Sequence, residues 1–402
     1  MADRVGHLPP FLTGITQICK ADLLDTTFVI FYNYVKNNSK GGIFMRKVYI
    51  DNIRWITVVL VVIYHVIYMF NGIETAGVIG PFAETQYQDV YQYMVYPWFM
   101  LLLFVISGMC ARFCLEGCLD KEFLKKRTQK LLVPSTIGLF VFQWILGYYN
   151  MMLSGVFTDT MQEIPGVIRY IIMAVSGVGP LWYLQMLWLF SVILVVIRKL
   201  EKDRLYPKCE KTPVWLLLLF TIVIYGSAQI LNMPVIVVYR FGIYGFGFFV
   251  GYFCLSHDSV VERLQKYWLP LAFAAVVLGI LFVIRYWGAP YAEHSVLDRP
   301  LCNAFAWISV LAILAGMSRF GNFKNGFTLF MQKESWGLYI LHYLPLAMCA
   351  YYLHAYAKNL PVTAVYILTG AAAFLGAMVL YRIISRIPVI RWCVLGIRRK
   401  ER

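Results

Sequence analysis

The chain has 402 residues, of which 60% are hydrophobic and only 14% are charged. Soluble domains carry about 25% charged residues, so a chain of this composition would expose a large apolar surface to water. The composition excludes an ordinary soluble domain and predicts an integral membrane protein. The apolar runs are continuous rather than alternating, which favours an all-α bundle over a β-barrel.

Residues 1–44 differ from the rest of the chain. Their apolar stretch is short and is flanked by Asp22, Asp25 and other polar residues. The segment lacks the basic n-region and the small-residue cleavage site of a signal peptide. Met45, followed by Arg-Lys, has the character of a start, so we predict that 1–44 is an extension that is disordered or lies upstream of the true start.

From residue 45 onward, ten runs are apolar and long enough for a helix that crosses a bilayer, which needs roughly 20 residues. The predicted spans are 53–71, 93–114, 131–153, 180–198, 214–231, 235–255, 268–285, 301–317, 336–355 and 362–384. The shorter run 164–176 carries Arg169 and predicts an interfacial or re-entrant helix. The membrane domain would occupy 45–390, with a basic cytoplasmic tail at 391–402.

The distribution of Lys and Arg predicts the orientation of these spans. If the first span starts in the cytoplasm, the outer segments hold only Arg169, Arg285, Arg299 and Lys358, and the inner segments hold most other basic residues. The positive-inside rule requires this asymmetry, with both termini cytoplasmic. The net charge of +15 then reflects topology and anionic lipid, or a polyanionic cytoplasmic ligand, rather than nucleic acid.

Ionisable side chains within membrane spans are costly and mark functional sites. The predicted spans contain His65, Arg240 in the middle of the sixth helix, His342 and His354, and they contain no Asp or Glu. The missing carboxylates disfavour a proton- or sodium-coupled transporter. Without such a partner, Arg240 is expected to meet an anionic substrate group or a cluster of carbonyls.

Arg54 and His65 share the first predicted span. A separation of eleven residues corresponds to about 16 Å along a helix axis. It also places the two side chains on nearly the same face of the helix. The two side chains could therefore line one path from the cytoplasmic surface into the membrane. Equally, His65 could be a structural histidine bonded to a carbonyl or to the neighbouring Tyr64 or Tyr68.

The nine cysteines predict neither a disulfide framework nor a metal centre. Several lie in apolar runs, where a free Cys behaves as a small hydrophobic residue. Cys114 and Cys118 have no second pair of ligands nearby in the sequence. We expect no metal site.

Six motifs follow one another over about 46–390. They are YIDNIRWITVVLVVIYH with Arg54 and His65, FVISG before Arg112, FLKKRTQKLLVP with Arg127 and Lys130, GPLWYLQML with Trp182, RFGIYGFGFFVGY with Arg240, and ESWGLYILHYLP with Tyr339 and His342. In this order they resemble the membrane-bound acyltransferase family 3, which has a ten-span core. Lys130 stands where the family often has Arg, so the charge is kept and bidentate phosphate geometry is lost.

The resemblance implies transfer of an acyl group, commonly acetyl, from cytoplasmic acyl-coenzyme A to a hydroxyl of a cell-envelope or exported saccharide, or of a lipid-linked acceptor, at the plasma membrane. His65 and Arg54 would be catalytic, with His65 as general base. The expected substrate- or donor-binding residues are Arg112, Arg127, Lys130, Trp182, Arg240, Tyr339 and His342.

Several alternatives stay open at this point. His65 could be transiently acylated instead of acting as a base, and His342 could be a packed interfacial histidine. Ser107 and Gly108 are expected to allow close helix approach rather than catalysis. At the level of the whole protein, a transporter or flippase for a glycan or small organic acid is the main alternative, and a sensory or scaffold protein is a weaker one.

Overall fold

The computed structural model describes residues 47–73, 77–155, 163–234 and 236–398. The predicted extension at 1–44 and the last residues of the basic tail lie outside these ranges. Within them the chain is helical with no β-strand, and an isolated bridge joins Asn232 to Arg240. The predicted all-α fold is confirmed for this part of the chain.

Seven of the described helices are long and apolar enough to cross a membrane. They are α1 (Val48–Tyr68), α2 (Tyr87–Leu115), α3 (Asp120–Leu153), α5 (Gly179–Glu201), α10 (Trp268–Tyr286), α12 (Pro300–Phe320) and α15 (Val362–Arg386). The other described helices are α4 (Gly166–Ser176), α6 (Leu205–Cys209), α7 (Val214–Ala228), α8 (Phe241–Leu255), α9 (Asp258–Gln265), α11 (His294–Leu297), α13 (Gly326–Leu341), α14 (Tyr343–Tyr356) and α16 (Pro388–Leu395).

Three of the ten predicted spans take a different form. The spans 214–231 and 235–255 correspond to the shorter helices α7 and α8, and the second begins at Phe241 rather than at residue 235. The span 336–355 is divided at His342 into α13 and α14. The backbone at His342 is still helical (φ −64°, ψ −33°), but Pro345 lacks the N–H that would bond to the carbonyl of Leu341. The short helix predicted at 164–176 is present as α4.

Helix α2 lies at the centre of the bundle, whereas α10 and α15 expose most of their apolar side chains. Helices α2 and α8 approach very closely, since a Cβ added at Gly108 would lie 1.9 Å from the carbonyl oxygen of Phe248. Only glycine fits such a contact. The predicted role of Gly108 in close helix approach is therefore confirmed, whereas its neighbour Ser107 makes a specific hydrogen bond that is described below.

The side-chain amide of Asn52 fixes α1 against α13. It is fully buried, and its Nδ2 donates to the carbonyls of Gly321 and Phe323 at 2.7 and 2.8 Å. Its Oδ1 accepts from Trp55 at 3.0 Å and from Gln332 on α13 at 3.1 Å. A buried amide with every partner in place specifies a single arrangement of the helices around it. These contacts hold the N-terminal half of α13 and the segment before it against α1, and the candidate site lies at the other end of α13.

Candidate active site

The imidazoles of His65 on α1 and His342 at the α13–α14 junction are in direct contact. Nδ1 of His65 lies 3.1 Å from Nε2 of His342, and the ring centroids are 5.0 Å apart. The two residues are separated by 277 positions in the sequence. The structure thus brings together two histidines that the sequence placed only in separate motifs.

The hydrogen bonds around the pair assign its protons. Nδ1 of His342 faces the carbonyls of Leu338 and Tyr339 at 2.9 and 3.0 Å, so it carries the hydrogen and leaves Nε2 as an acceptor. Nδ1 of His65 faces the carbonyl of Val61 at 2.8 Å as well as Nε2 of His342. It must therefore donate, in a shared bond to both acceptors. This leaves Nε2 of His65 unprotonated, which is the form that a general base needs.

The two histidines differ in accessibility. His342 is completely buried, whereas His65 is partly exposed. The rings of Tyr64 and Tyr343 pack edge-on against His65 with centroids 5.1 and 4.9 Å away. His65 is consequently the member of the pair that a substrate can reach, and His342 supports it from behind.

A row of polar and aromatic contacts leads from His342 back to α2. The ring of Tyr339 lies 6.5 Å from that of His342 and 5.6 Å from that of Tyr183. The hydroxyl of Tyr183 is 2.7 Å from that of Ser107. The hydroxyl of Tyr339 donates to the carbonyl of Pro180 at 2.7 Å, so its hydrogen is committed to the start of α5.

Arg54 lies at the other end of this row. Its guanidinium donates from Nη2 to the thiol of Cys110 at 3.1 Å, and Nη1 lies 3.5 Å from the buried carboxylate of Asp51. Cys110 is three residues beyond Ser107, so the two side chains occupy one face of α2. Arg54 keeps 37% of its side chain exposed, which leaves room for an anionic ligand.

Arg127 lies close to Arg54. Both charges act on Cys110 and on Tyr183, and Arg127 rests on the ring of Phe123 at 5.0 Å. Lys130 is one turn further along α3, in a stretch of π-helix at Thr128–Leu132, with its ammonium 4.3 Å from the ring of Trp336. π-Helical turns are frequent at functional sites. Of the predicted basic donor-binding residues, Arg127 is the one whose charge acts on the same side chains as that of Arg54.

Arg112 belongs to a different cluster. Its Nη1 is 2.8 Å from both carboxylate oxygens of Asp203, its Nε is 2.9 Å from Glu116, and its guanidinium lies flat on Tyr206 at 3.4 Å. Only 8% of the residue is exposed. Two carboxylates and a stacked ring satisfy this guanidinium internally, an arrangement that favours a structural role.

The sequence-based description of Arg240 was wrong in two respects. Arg240 precedes helix α8 instead of lying in the middle of a helix. It also has a carboxylate partner, because its Nη2 is 3.1 Å from Asp298 and 3.1 Å from the carbonyl of Leu297. Asp298 lies in a loop and was therefore missed by a search for carboxylates within spans. Its other oxygen contacts His294 at 3.1 Å.

Trp182 packs among aromatic rings on the other side of Tyr183. Its nearest ring neighbours are Tyr244 at 5.7 Å, Tyr239 at 6.2 Å and Phe104 at 6.3 Å. None of the three belongs to the histidine pair. Trp182 is the chain neighbour of Tyr183, which belongs to the row of contacts leading to His342, but Trp182 itself lies outside that row.

Four residues near the site, Asp51, Asn52, Cys110 and Tyr183, were not predicted from the sequence. Asp51 could have been noticed, because it is the acidic residue of the first motif. The other three give no signal of their own, since an Asn, a Cys and a Tyr in apolar runs are ordinary. Among the described residues, no group of three or more His, Cys, Asp or Glu side chains is arranged to hold a metal ion.

Comparison with known proteins identifies one family. A family model described as an acyltransferase domain matches residues 47–382, which is most of the chain. This range includes both histidines, Arg54 and the helices that hold them. No curated protein and no solved structure matches the chain.

Proposed function

We propose that this chain, which belongs to the acyltransferase family 3, moves an acyl group, most simply acetyl, from cytoplasmic acyl-coenzyme A to a hydroxyl of a cell-envelope or exported saccharide. The observation that carries this proposal is the arrangement of hydrogen bonds that assigns a hydrogen to Nδ1, and none to Nε2, of each histidine. Nε2 of His65 is left as a free lone pair on an accessible ring, while its Nδ1 is held by Val61 and His342. Such a nitrogen can accept a proton from a hydroxyl.

The reaction would proceed by direct attack. As the acceptor hydroxyl loses its proton to Nε2 of His65, its oxygen forms a bond to the thioester carbon. The carbon–sulfur bond then breaks, and the coenzyme A thiolate leaves and takes the proton back from His65. The products are an ester and free coenzyme A, and both histidines return to their starting state.

His342 would act as a positioning residue. When His65 becomes an imidazolium, its Nδ1–H donates to Nε2 of His342, and a charge-assisted hydrogen bond of this kind is stronger than a neutral one. The same contact fixes the tautomer and the ring orientation of His65, as the buried carboxylate does in a serine-protease triad. Here a second neutral imidazole takes that place.

Arg54 and Arg127 would hold the charged end of the donor. Arg54 lies near the start of α1, about 16 Å from His65 along the helix axis, and is partly exposed, while Arg127 lies on α3. A phosphorylated donor with a long flexible arm fits that separation, with its phosphates on the guanidiniums and its thioester at His65. Lys130 extends the basic surface along α3. The contacts of Arg112 and Arg240 favour structural roles for these two residues beside the site.

We propose that the membrane domain crosses the plasma membrane ten times with both termini in the cytoplasm. The seven long helices, the shorter α7 and α8, and the divided pair α13–α14 supply ten crossings in chain order. The Lys and Arg distribution supports this orientation, which puts Arg54 and Arg127 at the inner surface where coenzyme A is available.

The proposal is tested with inverted membrane vesicles and acetyl-coenzyme A labelled in the acetyl group. Wild type should release coenzyme A and place label in a saccharide fraction, and His65→Ala should do neither. His354→Ala is the matched control, because His354 is an exposed histidine on α14. If both histidine variants label saccharide as well as wild type does, the role of His65 is refuted. Saccharide crossing the membrane without any use of acetyl-coenzyme A would instead favour the transporter alternative.

A further inference from the structure

A second polar cluster lies at the end of α1 that is remote from Arg54. Its members are Asp89 and Gln92 on α2 and Tyr366 on α15. Oδ1 of Asp89, both amide atoms of Gln92 and the hydroxyl of Tyr366 are buried and lack a hydrogen-bond partner among the described residues. Asp89 is 3% exposed and Gln92 is 0% exposed. Burying an amide with neither its donor nor its acceptor satisfied is costly, so such a group points to a ligand.

The position of Gln92 follows from the helix register. Asp89, Gln92, Tyr96 and Phe99 recur at the spacing of one helix face. At one end of this face, Oδ2 of Asp89 accepts from the backbone N–H of Gly72 at 3.1 Å. At the other end, the rings of Tyr96 and Phe99 lie 5.5 and 5.3 Å from that of Tyr64. Gln92 is therefore enclosed between α2 and the terminal part of α1.

This enclosed region adjoins the histidine pair. Tyr64 precedes His65 in the chain and its ring packs against the imidazole at 5.1 Å. Gly72 follows His65 by seven residues, a separation on the order of 10 Å at a helical rise. The cluster thus lies beyond His65 on the side opposite Arg54, away from the proposed donor site.

Aromatic rings form the wall beside the cluster. Phe70 lies 4.8 Å from Phe82 and 5.4 Å from Tyr366, and Phe82 lies 5.6 Å from Tyr366. Phe82 is 39% exposed, and the charge of Asp89 acts on the Tyr366 hydroxyl. A carboxylate, an amide and a phenol provide acceptors and donors for several hydroxyls at once. Rings beside them offer apolar surface for the C–H face of a sugar.

We propose that Asp89, Gln92 and Tyr366 form the acceptor subsite, and that it binds a sugar or a closely related polyol. Asp89 Oδ1 accepts from one hydroxyl, the amide of Gln92 donates to one and accepts from another, and the aromatic wall supports the ring. This subsite deepens the proposed function, on which it rests, by assigning the second substrate to named residues.

The test uses the full-length protein, purified in detergent, with maltose and N-acetylglucosamine as saccharide probes and acetyl-coenzyme A as donor. Gln92→Met keeps the approximate shape of the side chain and removes its hydrogen-bonding groups. Tyr366→Phe removes the hydroxyl that α15 contributes to the cluster. Tyr356→Phe is the matched control, since Tyr356 is 83% exposed. The readouts are the saccharide-induced rise in melting temperature, the KM for saccharide, and the release of coenzyme A without saccharide.

For wild type, at least one saccharide should raise the melting temperature and serve as acceptor. Gln92→Met and Tyr366→Phe should weaken saccharide binding about tenfold, the cost of losing one or two hydrogen bonds. The control Tyr356→Phe should match wild type in saccharide affinity and in the release of coenzyme A without saccharide. Wild type could bind saccharide and the two variants could bind it more weakly, while no protein uses acetyl-coenzyme A. In that case the subsite is supported and the proposed function fails.

Three results would overturn the subsite. The first is that neither saccharide affects wild type. The second is that both variants bind saccharide as tightly as Tyr356→Phe does. The third is that Gln92→Met raises the melting temperature of the free protein without changing saccharide affinity, because the amide would then hold only buried water.

Discussion

Nε2 of His342 lies 3.1 Å from Nδ1 of His65, and the backbone carbonyls around both rings leave both Nε2 atoms without a proton. Nε2 of His342 is occupied as the acceptor for Nδ1 of His65, whereas Nε2 of His65 can accept a proton from a substrate. This relationship makes the two residues unequal. His65 is expected to exchange the proton, and His342 is expected to hold His65 in the reactive tautomer. Substitutions at the two positions should therefore reduce kcat by different factors.

Replacement of His65 by Ala should lower kcat by about 10²–10⁴-fold, the contribution of a general base. Replacement of His342 by Ala should lower kcat by a smaller factor of about 10–100, because water can replace part of the lost contact. The double variant should be no slower than His65→Ala, since the two residues act as one unit. Steady-state release of coenzyme A measures all three rates.

His342→Gln provides the control for this series. A glutamine can still accept a hydrogen bond from Nδ1 of His65, so this variant should recover part of the activity that His342→Ala loses. Equal losses for His342→Gln and His342→Ala, with equal melting temperatures, would argue against a positioning role. Additive effects would also argue against a positioning role. In that case the double variant would be slower than His65→Ala by the same factor by which His342→Ala is slower than wild type.

Arg54→Ala should raise the KM for acetyl-coenzyme A about 10- to 100-fold, which corresponds to the loss of a charged hydrogen bond to phosphate. Arg54→Lys should lie between this variant and wild type, because lysine keeps the charge but not the two-pronged geometry. Arg319→Ala is the control, since Arg319 lies over the rings of Trp268 and Phe320, neither of which belongs to the proposed site. A fall in kcat with an unchanged KM would place Arg54 at the reacting atoms and not at the donor phosphates.

Arg240→Ala should destabilise the protein by about 2–3 kcal/mol, because the partly buried carboxylate of Asp298 loses its ion pair. The KM values for both substrates should change little if the role of Arg240 is structural. Chemical unfolding in detergent and the acetyl-transfer assay measure the two effects separately. Arg285→Ala removes an exposed arginine of α10 and should leave stability nearly unchanged. A large rise in either KM without a stability loss would restore Arg240 to the substrate site.

The stability of the protein should decrease in mild acid through His257. This residue is buried, stacks on Tyr206 at 3.8 Å and contacts the carbonyl of Tyr206 at 2.9 Å. Burial lowers the pKa of His257 below its ordinary value of 6.5, with a smaller opposing effect from the carbonyl. Between pH 6.5 and the lower folded pKa, the unfolded chain binds more protons than the folded one, so stability is lost as the pH falls through that window.

Melting temperatures measured at about pH 7.5 and about pH 5.5, on either side of the free imidazole pKa, test this expectation. The decrease should be larger for wild type than for His257→Gln, which cannot bind the proton. His354→Gln, a change at an exposed histidine of α14, should behave as wild type does. An identical decrease in all three proteins would show that the acid sensitivity arises at other groups.

Much of the architecture could be predicted because it depends on local composition. A run of about 20 apolar residues must form a helix in a bilayer, since backbone polar groups have no other partners there. The seven long helices follow from this rule. It failed where an apolar run does not continue as helix, as before Phe241, and where Pro345 divides a span.

The sequence by itself determined that this is a helical membrane protein of the acyltransferase family 3, with Arg54 and His65 on one helix face. Only the tertiary structure decided that His342 meets His65, that Asp298 pairs with Arg240, and that the buried amide of Gln92 has no hydrogen-bond partner within the described part of the chain. Spacing along one helix is set by the helix repeat, and it can be read from the chain. Contacts between helices depend on how side chains far apart in sequence pack together, and no local pattern encodes that.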